Sequence, residues 1–234
     1  KDGRVGSRRL ANPAGIASTV VAANDRPRPD CEAIREEIRG MNPWLGKTAF
    51  LVGLVVFVAI RVPHDRRRKT AGFSAAPTGA TERALLSGVF LGVFLLPIVA
   101  VASPVLSFAD RALAAWELGT GAGCLLTGLW LFHRAHADLS LNWSPLVKLR
   151  SDHRLVTTGV YRFVRHPMYS SFLLYGIAQS LLLPNWVAGP SCLVATAILI
   201  AGRLRREESM MQERFGQAYS EYRRRTKRIV PGVW

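Results

Sequence analysis

Long apolar runs alternate with short, strongly polar stretches through most of this chain. Five apolar runs are evident, at residues 44–62, 84–108, 112–132, 169–183 and 186–202. A helix needs roughly 20 residues to cross the apolar core of a bilayer. The first three runs meet or nearly meet that length, and the last two are slightly short. The pattern predicts an all-α, polytopic membrane bundle of about five helices, whose last two form a tight hairpin turning at Pro184-Asn185.

Residues inside the runs indicate how these helices would pack. Pro97 and Pro104 interrupt the second run, and membrane helices tolerate such kinks where neighbours satisfy the freed carbonyl. Glu117 in the third run is costly in lipid, so we expect it to be paired inside the bundle or near the interface. Small residues that permit close helix contact recur in the same run, at Gly119, Gly121, Gly123 and Gly128.

The distribution of charge predicts which ends of the runs face the cytoplasm. The chain carries 31 Lys and Arg against 16 Asp and Glu, a formal net charge of +15. Basic residues concentrate after the first, third and fifth runs, at 66–69, 133–165 and 203–228. Cytoplasmic loops carry such an excess, so these loops and the C-terminus are predicted to be cytoplasmic. A nucleic-acid binder would share this composition, but no recognised motif is present, and we expect no nucleic-acid partner.

Residues 1–40 differ from the rest of the chain. They are polar, rich in Arg, Asp, Pro and Ala, and lack a sustained apolar period. This pattern predicts a disordered or non-native tail ahead of one membrane domain at 41–234. That domain is expected to end in a charged C-terminal helix. The three cysteines show no disulfide framework and no metal-ligand spacing, so neither is expected.

The stretch 153–169 holds the most varied chemistry of the chain. Gly159 permits a tight turn or the close approach of a ligand, and Pro167 can begin the helix that follows. Its histidines and tyrosines suit a ligand with an adenine ring, ribose hydroxyls and a cationic centre, because aromatic faces attract cations. Further along, Arg203 and Glu207 share one helix face. Their spacing alone favours a solvated ion pair at a helix end.

In combination, these residues form an ordered series of motifs. The series is His153-x-Leu155-Val156, Gly159-x-Tyr161-Arg162, Arg165-His166-Pro167-x-Tyr169, Glu207-Glu208 and Phe215-Gly216-x-x-Tyr219-x-x-Tyr222. Over residues 120–232 it resembles the isoprenylcysteine carboxyl methyltransferase family and its phospholipid methyltransferase relatives.

The resemblance implies S-adenosylmethionine as the methyl donor. The implied cofactor-binding residues are His153, Arg154, Leu155, Val156, Tyr161, His166, Pro167, Met168 and Tyr169. The implied catalytic residues, which would touch the substrate, are Arg203, Glu207 and Glu208. Two positions depart from the family pattern. Leu146 replaces a polar residue, and Ser171 stands where glycine is frequent.

The implied function is methyl transfer to a lipophilic acceptor that enters from the bilayer, like that of a protein-S-isoprenylcysteine O-methyltransferase. The enzyme would be an integral, multi-pass membrane protein in contact with membrane lipids. Arg203 would anchor an acceptor carboxylate, whereas an amine acceptor would need Glu207 or Glu208 as a base. The acceptor stays open between a prenylcysteine carboxylate, a phospholipid amine and another lipophilic small molecule. A non-enzymatic membrane protein that retains the fold is the alternative from another class.

Overall fold

The computed structural model describes residues 41–70, 79–139 and 155–232. Within these ranges the chain is helical and carries only isolated β-bridges, which confirms the predicted all-α fold. The predicted tail at 1–40 lies outside them. The α-helices are α1 Pro43–Thr70, α2 Ala80–Phe90, α3 Leu96–Ala102, α4 Ala115–Leu139, α5 Pro167–Leu182 and α6 Ser191–Arg225.

Helix α1 begins with a proline, a residue that suits the first helical position. The Oδ1 atom of Asn42 accepts a hydrogen bond from the backbone N–H of Trp44 at 3.0 Å and so caps the helix. The helix continues through Pro63 to Thr70. The stretch after the first apolar run, predicted as a loop, is therefore helical up to Thr70. Hydropathy marks the end of the apolar surface at residue 62 but not the end of the helix.

The second apolar run is divided into helical segments of different pitch. Helix α2 passes into a π-helical turn at Leu91–Leu95 and then into α3, and a 3₁₀ turn follows at Pro104–Ala109. In a regular α-helix the ring of Pro97 would collide with the carbonyl of Val93. The wider π turn relieves that collision. The α-helical part of this run ends at Ala102, and the 3₁₀ turn continues to Ala109, one residue beyond the predicted boundary at residue 108.

Helix α4 confirms the expected pairing of Glu117. This buried carboxylate accepts hydrogen bonds from Arg111 Nη1 at 2.7 Å and from the backbone N–H of Ala114 at 2.9 Å. The glycines of α4 divide into two pairs. Gly121 and Gly128 lie against α5, whereas Gly119 and Gly123 have open space where a Cβ would stand. Close helix contact, expected at all four, occurs at two.

The connection from α5 to α6 is built around Asn185. Its buried side-chain amide donates to the carbonyl of Leu106 at 2.7 Å, and its Oδ1 accepts from the backbone N–H groups of Val187 and Ala188 at 3.0 and 2.8 Å. These bonds hold the following residues in a turn, so α6 begins only at Ser191. The turn lies where the sequence predicts it, but it is longer than two residues.

Helix α6 is interrupted at Gly216, whose φ of 52° and ψ of −122° suit glycine. Beyond this break the chain returns toward the start of α5. The backbone N–H groups of Arg165 and His166 donate to the carbonyls of Lys227 and Arg228 at 2.8 and 2.9 Å. The residues after α6 therefore form a wall beside the stretch that precedes α5.

Aromatic side chains fill the centre of the bundle. Phe57 of α1 stacks on Phe132 of α4 with ring centroids 4.4 Å apart, and Tyr175 of α5 tilts against Phe57 at 5.2 Å. Such aromatic pairs contribute beyond their area of burial. Three helices that are distant in sequence are thereby joined in one core.

Two segments in the described ranges are long and apolar enough to cross a membrane, Pro43–Arg66 and Ala80–Ala102. This result rests on length and composition alone, and one or two such helices are weak evidence that a chain crosses a membrane. Helix α5 has only 16 residues, and α6 is apolar only as far as Gly202. The predicted count of five spans is therefore not confirmed.

Candidate functional site

A tight turn connects the polar stretch to the helix that begins the site. The 3₁₀ turn Gly159–Arg162 is held by Asp138 of α4, whose Oδ2 accepts from the backbone N–H of Val160 at 2.8 Å. Gly159 has a φ of 62°, and a Cβ there would lie 2.0 Å from the same carboxylate. The turn therefore requires glycine both for its backbone angle and for the close carboxylate.

Tyr161 is buried beneath this turn. Its hydroxyl donates to the carbonyl of Ala135 at 3.4 Å, and its own carbonyl accepts from the hydroxyl of Tyr222 at 2.6 Å. Burial raises the pKa of the Tyr161 phenol, so it stays neutral. Val156 and Met168 pack partly buried against the same small apolar cluster. These residues join α4, the turn and the C-terminal segment.

Four side chains meet where α5 begins and the apolar part of α6 ends. The hydroxyl of Tyr169 donates to Glu207 Oε1 at 2.6 Å. His166 Nδ1 lies 3.7 Å from Glu207 Oε2, and Arg203 Nη2 lies 3.4 Å from Glu207 Oε1. The rings of His166 and Tyr169 are 5.7 Å apart with an interplanar angle of 29°. We call Arg203, Glu207, Tyr169 and His166 the central cluster.

Arg203 also approaches a second carboxylate. Its Nη2 lies 3.7 Å from Glu82 Oε1 of α2, and the Arg203 side chain is only 9% exposed. The spacing of Arg203 and Glu207 by itself favoured a solvated ion pair, and that expectation is wrong. The arginine is buried between two carboxylates because α2 packs against this part of α6.

Glu208 lies 3.7 Å from His166 Nε2 of the central cluster and otherwise turns toward a set of cations. Its Oε1 accepts from Arg165 Nε and Nη2 at 3.1 and 2.9 Å, and its Oε2 accepts from Arg228 Nε at 3.1 Å. Burial opposes ionisation, but His166 and Arg165 outweigh it and lower the pKa of Glu208 to about 2. Glu208 is thus charged at neutral pH, and both of its oxygens are engaged.

The structure describes the positions of most of the residues named from the sequence. His166, Tyr169, Arg203 and Glu207 come together, and Glu208 lies beside them. Pro167 is buried in the first turn of α5, and Leu155 is partly buried ahead of the 3₁₀ turn. Ser171 is buried, and its hydroxyl donates to the carbonyl of Met168 at 2.7 Å. His153, Arg154 and Leu146 lie outside the described residues.

Three charged residues of the site are absent from those named as site residues. Glu82 is a single acidic residue beside an apolar run, a signal that could have been used. Arg165 stands inside the motif that contributes His166 and was passed over. Arg228 follows α6, and nothing in its local sequence indicates that it reaches Glu208.

Comparison with known proteins identifies this part of the chain. A family model described as "Isoprenylcysteine carboxyl methyltransferase (ICMT) family" matches residues 121–213, which contain His166, Tyr169, Arg203, Glu207 and Glu208. Over these residues the chain is similar to that family. The resemblance read from the motifs is confirmed.

Curated relatives carry matching names. Protein-S-isoprenylcysteine O-methyltransferase B of Arabidopsis thaliana is 28% identical over 151 residues, which cover 64% of this chain and 77% of that protein. Protein-S-isoprenylcysteine O-methyltransferase of Saccharomyces cerevisiae is 35% identical over 123 residues, which cover 51% and 52%. The chain likewise spans about half the length of the fission yeast and Dictyostelium discoideum relatives.

One solved structure is also similar. It is described as a "eukaryotic intramembrane Ras methyltransferase ICMT" and aligns with a TM-score of 0.47 and 25% sequence identity. The alignment covers 68% of this chain and 55% of the other.

Proposed function

We propose that this protein transfers a methyl group from S-adenosylmethionine to the carboxylate of a lipophilic acceptor that reaches the site from the bilayer. A prenylcysteine carboxylate is the acceptor class that the relatives' names favour. The observation that carries the proposal is the central cluster. It places a buried arginine, a carboxylate and two aromatic rings at the point where α6 changes from apolar to polar.

The residues present fit a donor of this chemistry. His166 Nε2 is buried and makes no hydrogen bond within the described residues, and the nearest carboxylate oxygen, Glu208 Oε1, lies 3.7 Å away. A ligand hydroxyl or ring nitrogen could bond it at a shorter distance. The faces of His166 and Tyr169 and the charge of Glu207 suit a cationic centre. The residues that would hold the donor are those of the stretch 153–169, with Tyr169 and His166 at the central cluster. S-adenosylmethionine supplies an electrophilic methyl on a sulfonium.

Arg203 is the proposed anchor for the acceptor carboxylate. Its ion pairs with Glu82 and Glu207 are 3.7 and 3.4 Å long, whereas a charge-assisted bond of guanidinium to carboxylate measures about 2.7–2.9 Å. A ligand carboxylate at the shorter distance would therefore bind more strongly than either pair. A bidentate approach would also orient the reacting oxygen, and such alignment is the main contribution a protein can make to this displacement.

A carboxylate acceptor needs no base, because it carries no proton to be removed. Glu207 then orients the central cluster through Tyr169 and Arg203. For a phospholipid amine, Glu207 is the candidate base, since its side chain is 23% exposed and that of Glu208 only 7%. Glu208 is not a base in either case, because both its oxygens are engaged and its pKa is about 2.

We further propose that the site and the C-terminus face the cytoplasm, as the excess of basic residues predicts. Prenylated and other lipid-linked acceptors would then meet the donor at the membrane surface. The lipophilic part of the acceptor would stay in the bilayer beside the apolar half of α6.

The test is methyl transfer by the full chain in nanodiscs with methyl-labelled donor. A farnesylated cysteine with a free carboxylate should accept the label as a base-labile ester, and its carboxamide should not. Labelling of phosphatidylethanolamine instead would replace the carboxylate proposal with the amine one. Absence of donor binding by calorimetry would favour a non-enzymatic protein that retains the fold.

A further inference from the structure

A basic pocket lies beside the central cluster, between the end of α6 and the segment that follows it. Its volume is about 500 Å³. Five cationic side chains line it: Arg165, Arg223, Arg224, Lys227 and Arg228. Two hydroxyl residues complete the lining, and no acidic residue is among the described residues that form it. We call this cavity the basic pocket.

The inner wall of the basic pocket is fixed by hydrogen bonds. Arg165 Nη1 donates to the carbonyls of Arg223 and Thr226, and its other nitrogens bond Glu208. Arg228 bonds the second oxygen of Glu208. The single carboxylate of Glu208 neutralises only one of the two arginines, so this wall has a net positive charge.

The rim of the basic pocket carries three further cations. Arg223, Arg224 and Lys227 are exposed, and no ion pair joins them to a carboxylate in the described part of the chain. A helix C-terminus favours nearby cations, and this effect accounts for Arg223 and Arg224 in part. It does not account for Lys227, which follows the helix, or for the concave arrangement of all five charges.

The position of the basic pocket indicates where its ligand comes from. The break at Gly216 lets the chain return, so the pocket lies next to residues 164–166. Pro167 begins α5 directly afterwards, and the fourth apolar run starts two residues later, at residue 169. The pocket is therefore at the level where the apolar surface of the bundle ends, which is the level of lipid headgroups.

We propose that the basic pocket binds the phosphate of an anionic membrane lipid and so holds the returning C-terminal segment on the membrane surface. Arginine forks match the oxygens of a phosphate, and lysine adds a point charge. A free phosphate has the same chemistry, but the level of the pocket favours a headgroup. This proposal does not rest on methyl transfer, since the pocket lies outside the central cluster.

The test is native mass spectrometry of the full chain in detergent, titrated with phosphatidic acid and with phosphatidylcholine. The pocket variant combines Arg223→Gln, Arg224→Gln and Lys227→Gln. The control variant combines Arg205→Gln, Arg206→Gln and Arg225→Gln, which removes equal charge from exposed positions of the same helix that do not line the pocket. Circular dichroism checks that both variants keep their helices.

The expected result is preferential binding of phosphatidic acid, weakened at least about tenfold in the pocket variant and less than about twofold in the control. Equal weakening in both variants would show general surface attraction and overturn the pocket. Equal binding of the two lipids would overturn the proposal altogether. A parallel titration with inorganic phosphate distinguishes the sources, because phosphate binding without phosphatidic acid binding would overturn the lipid.

Discussion

Glu207 and Glu208 are neighbours in sequence with different environments. Successive side chains on a helix point about 100° apart, so Glu207 turns toward Tyr169 and Arg203 while Glu208 turns toward Arg165 and Arg228. One carboxylate is accessible to a ligand, and the other joins α5, α6 and the C-terminal segment. In the proposed site, Glu207 would contact the ligand and Glu208 would hold the surrounding segments together.

Glu208 gives the protein a stability that depends on acid pH. Its pKa is lowered from 4.5 to about 2 in the folded chain, so its contribution is present above pH 4.5 and is lost as pH falls toward 2. We expect the thermal midpoint in detergent to fall over that window. Removing one partner of a buried ion pair costs about 3–5 kcal/mol. Glu208→Gln should therefore lower the thermal midpoint at neutral pH and flatten the acid limb of the profile.

Glu213→Gln is the matched control, because Glu213 is an exposed acidic residue on the same helix. It should leave both the neutral midpoint and the acid limb close to those of the original chain. If Glu208→Gln and Glu213→Gln gave the same profile, the clamp of Glu208 between two arginines would contribute nothing to folding.

The hydroxyl of Tyr169 should matter for donor binding. It donates to Glu207 at 2.6 Å, and loss of a hydrogen bond to a charged group costs about 1.5–3 kcal/mol. In the proposed site this bond orients Glu207 beside the donor, so Tyr169→Phe should weaken S-adenosylmethionine binding about tenfold, measured by calorimetry. Tyr175→Phe is the control, since the buried Tyr175 hydroxyl has no hydrogen-bond partner among the described residues. Equal affinities in the two variants would remove Tyr169 from the proposed donor site.

At the scale of elements, sequence patterns predicted the helices better than their ends. The apolar runs located α1 to α6 because apolar surface has to be buried or placed in lipid. Their boundaries depended on side chains that act at a distance. Asn185 accepts hydrogen bonds from Val187 and Ala188 and holds them in a turn, so α6 begins later than the apolar run does. The π turn before Pro97 makes room for the proline ring, so the chain stays helical through it. Neither effect is visible in a hydropathy pattern.

The site shows the same division between local and distant signals. His166, Tyr169, Arg203 and Glu207 stand in short motifs, so they could be named as candidates from their neighbours in sequence. The approach of Glu82 to Arg203 joins two helices that no local pattern connects. Clamping of Glu208 by Arg228 likewise depends on the chain reversal at Gly216, and a single glycine does not specify where the chain will go.

The break at Gly216 should be needed for the C-terminal segment to return. A Cβ at Gly216 meets no atom within 4 Å, so the cost of Gly216→Ala is backbone strain alone, about 1–3 kcal/mol. We expect this variant to release residues 217–232, measured as faster tryptic cleavage after Arg223–Arg225. Gly119→Ala is the control, because that glycine is helical with open space beside it and alanine should stabilise α4 by about 1 kcal/mol. Unchanged cleavage in Gly216→Ala would show that the break does not govern the return.

At the scale of the whole molecule, the bundle has two ends of different character. Helix α4 contains 25 residues, which at 1.5 Å each separate its ends by about 37 Å. Arg111 and the turn at Asn185 lie at one end, joined by the bond of Arg111 to the carbonyl of Pro184. The central cluster, the basic pocket and the C-terminal segment lie at the other. A membrane about 30 Å thick can therefore separate these two ends.

Labelling in oriented vesicles tests this arrangement and its sidedness. Single cysteines at Arg162, Arg225 and Phe108, all exposed positions, would be placed in a chain without its native cysteines. Because Val164 pairs with Lys227, Arg162→Cys and Arg225→Cys must lie on one side, and the charge excess predicts that this side is cytoplasmic. An impermeant maleimide applied from the cytoplasmic side should label both, and Phe108→Cys should react only from the other side.

Labelling of Arg162→Cys and Arg225→Cys from opposite sides would contradict the return of the chain. Labelling of both from outside would reverse the orientation, and the donor, made in the cytoplasm, could not then reach the site.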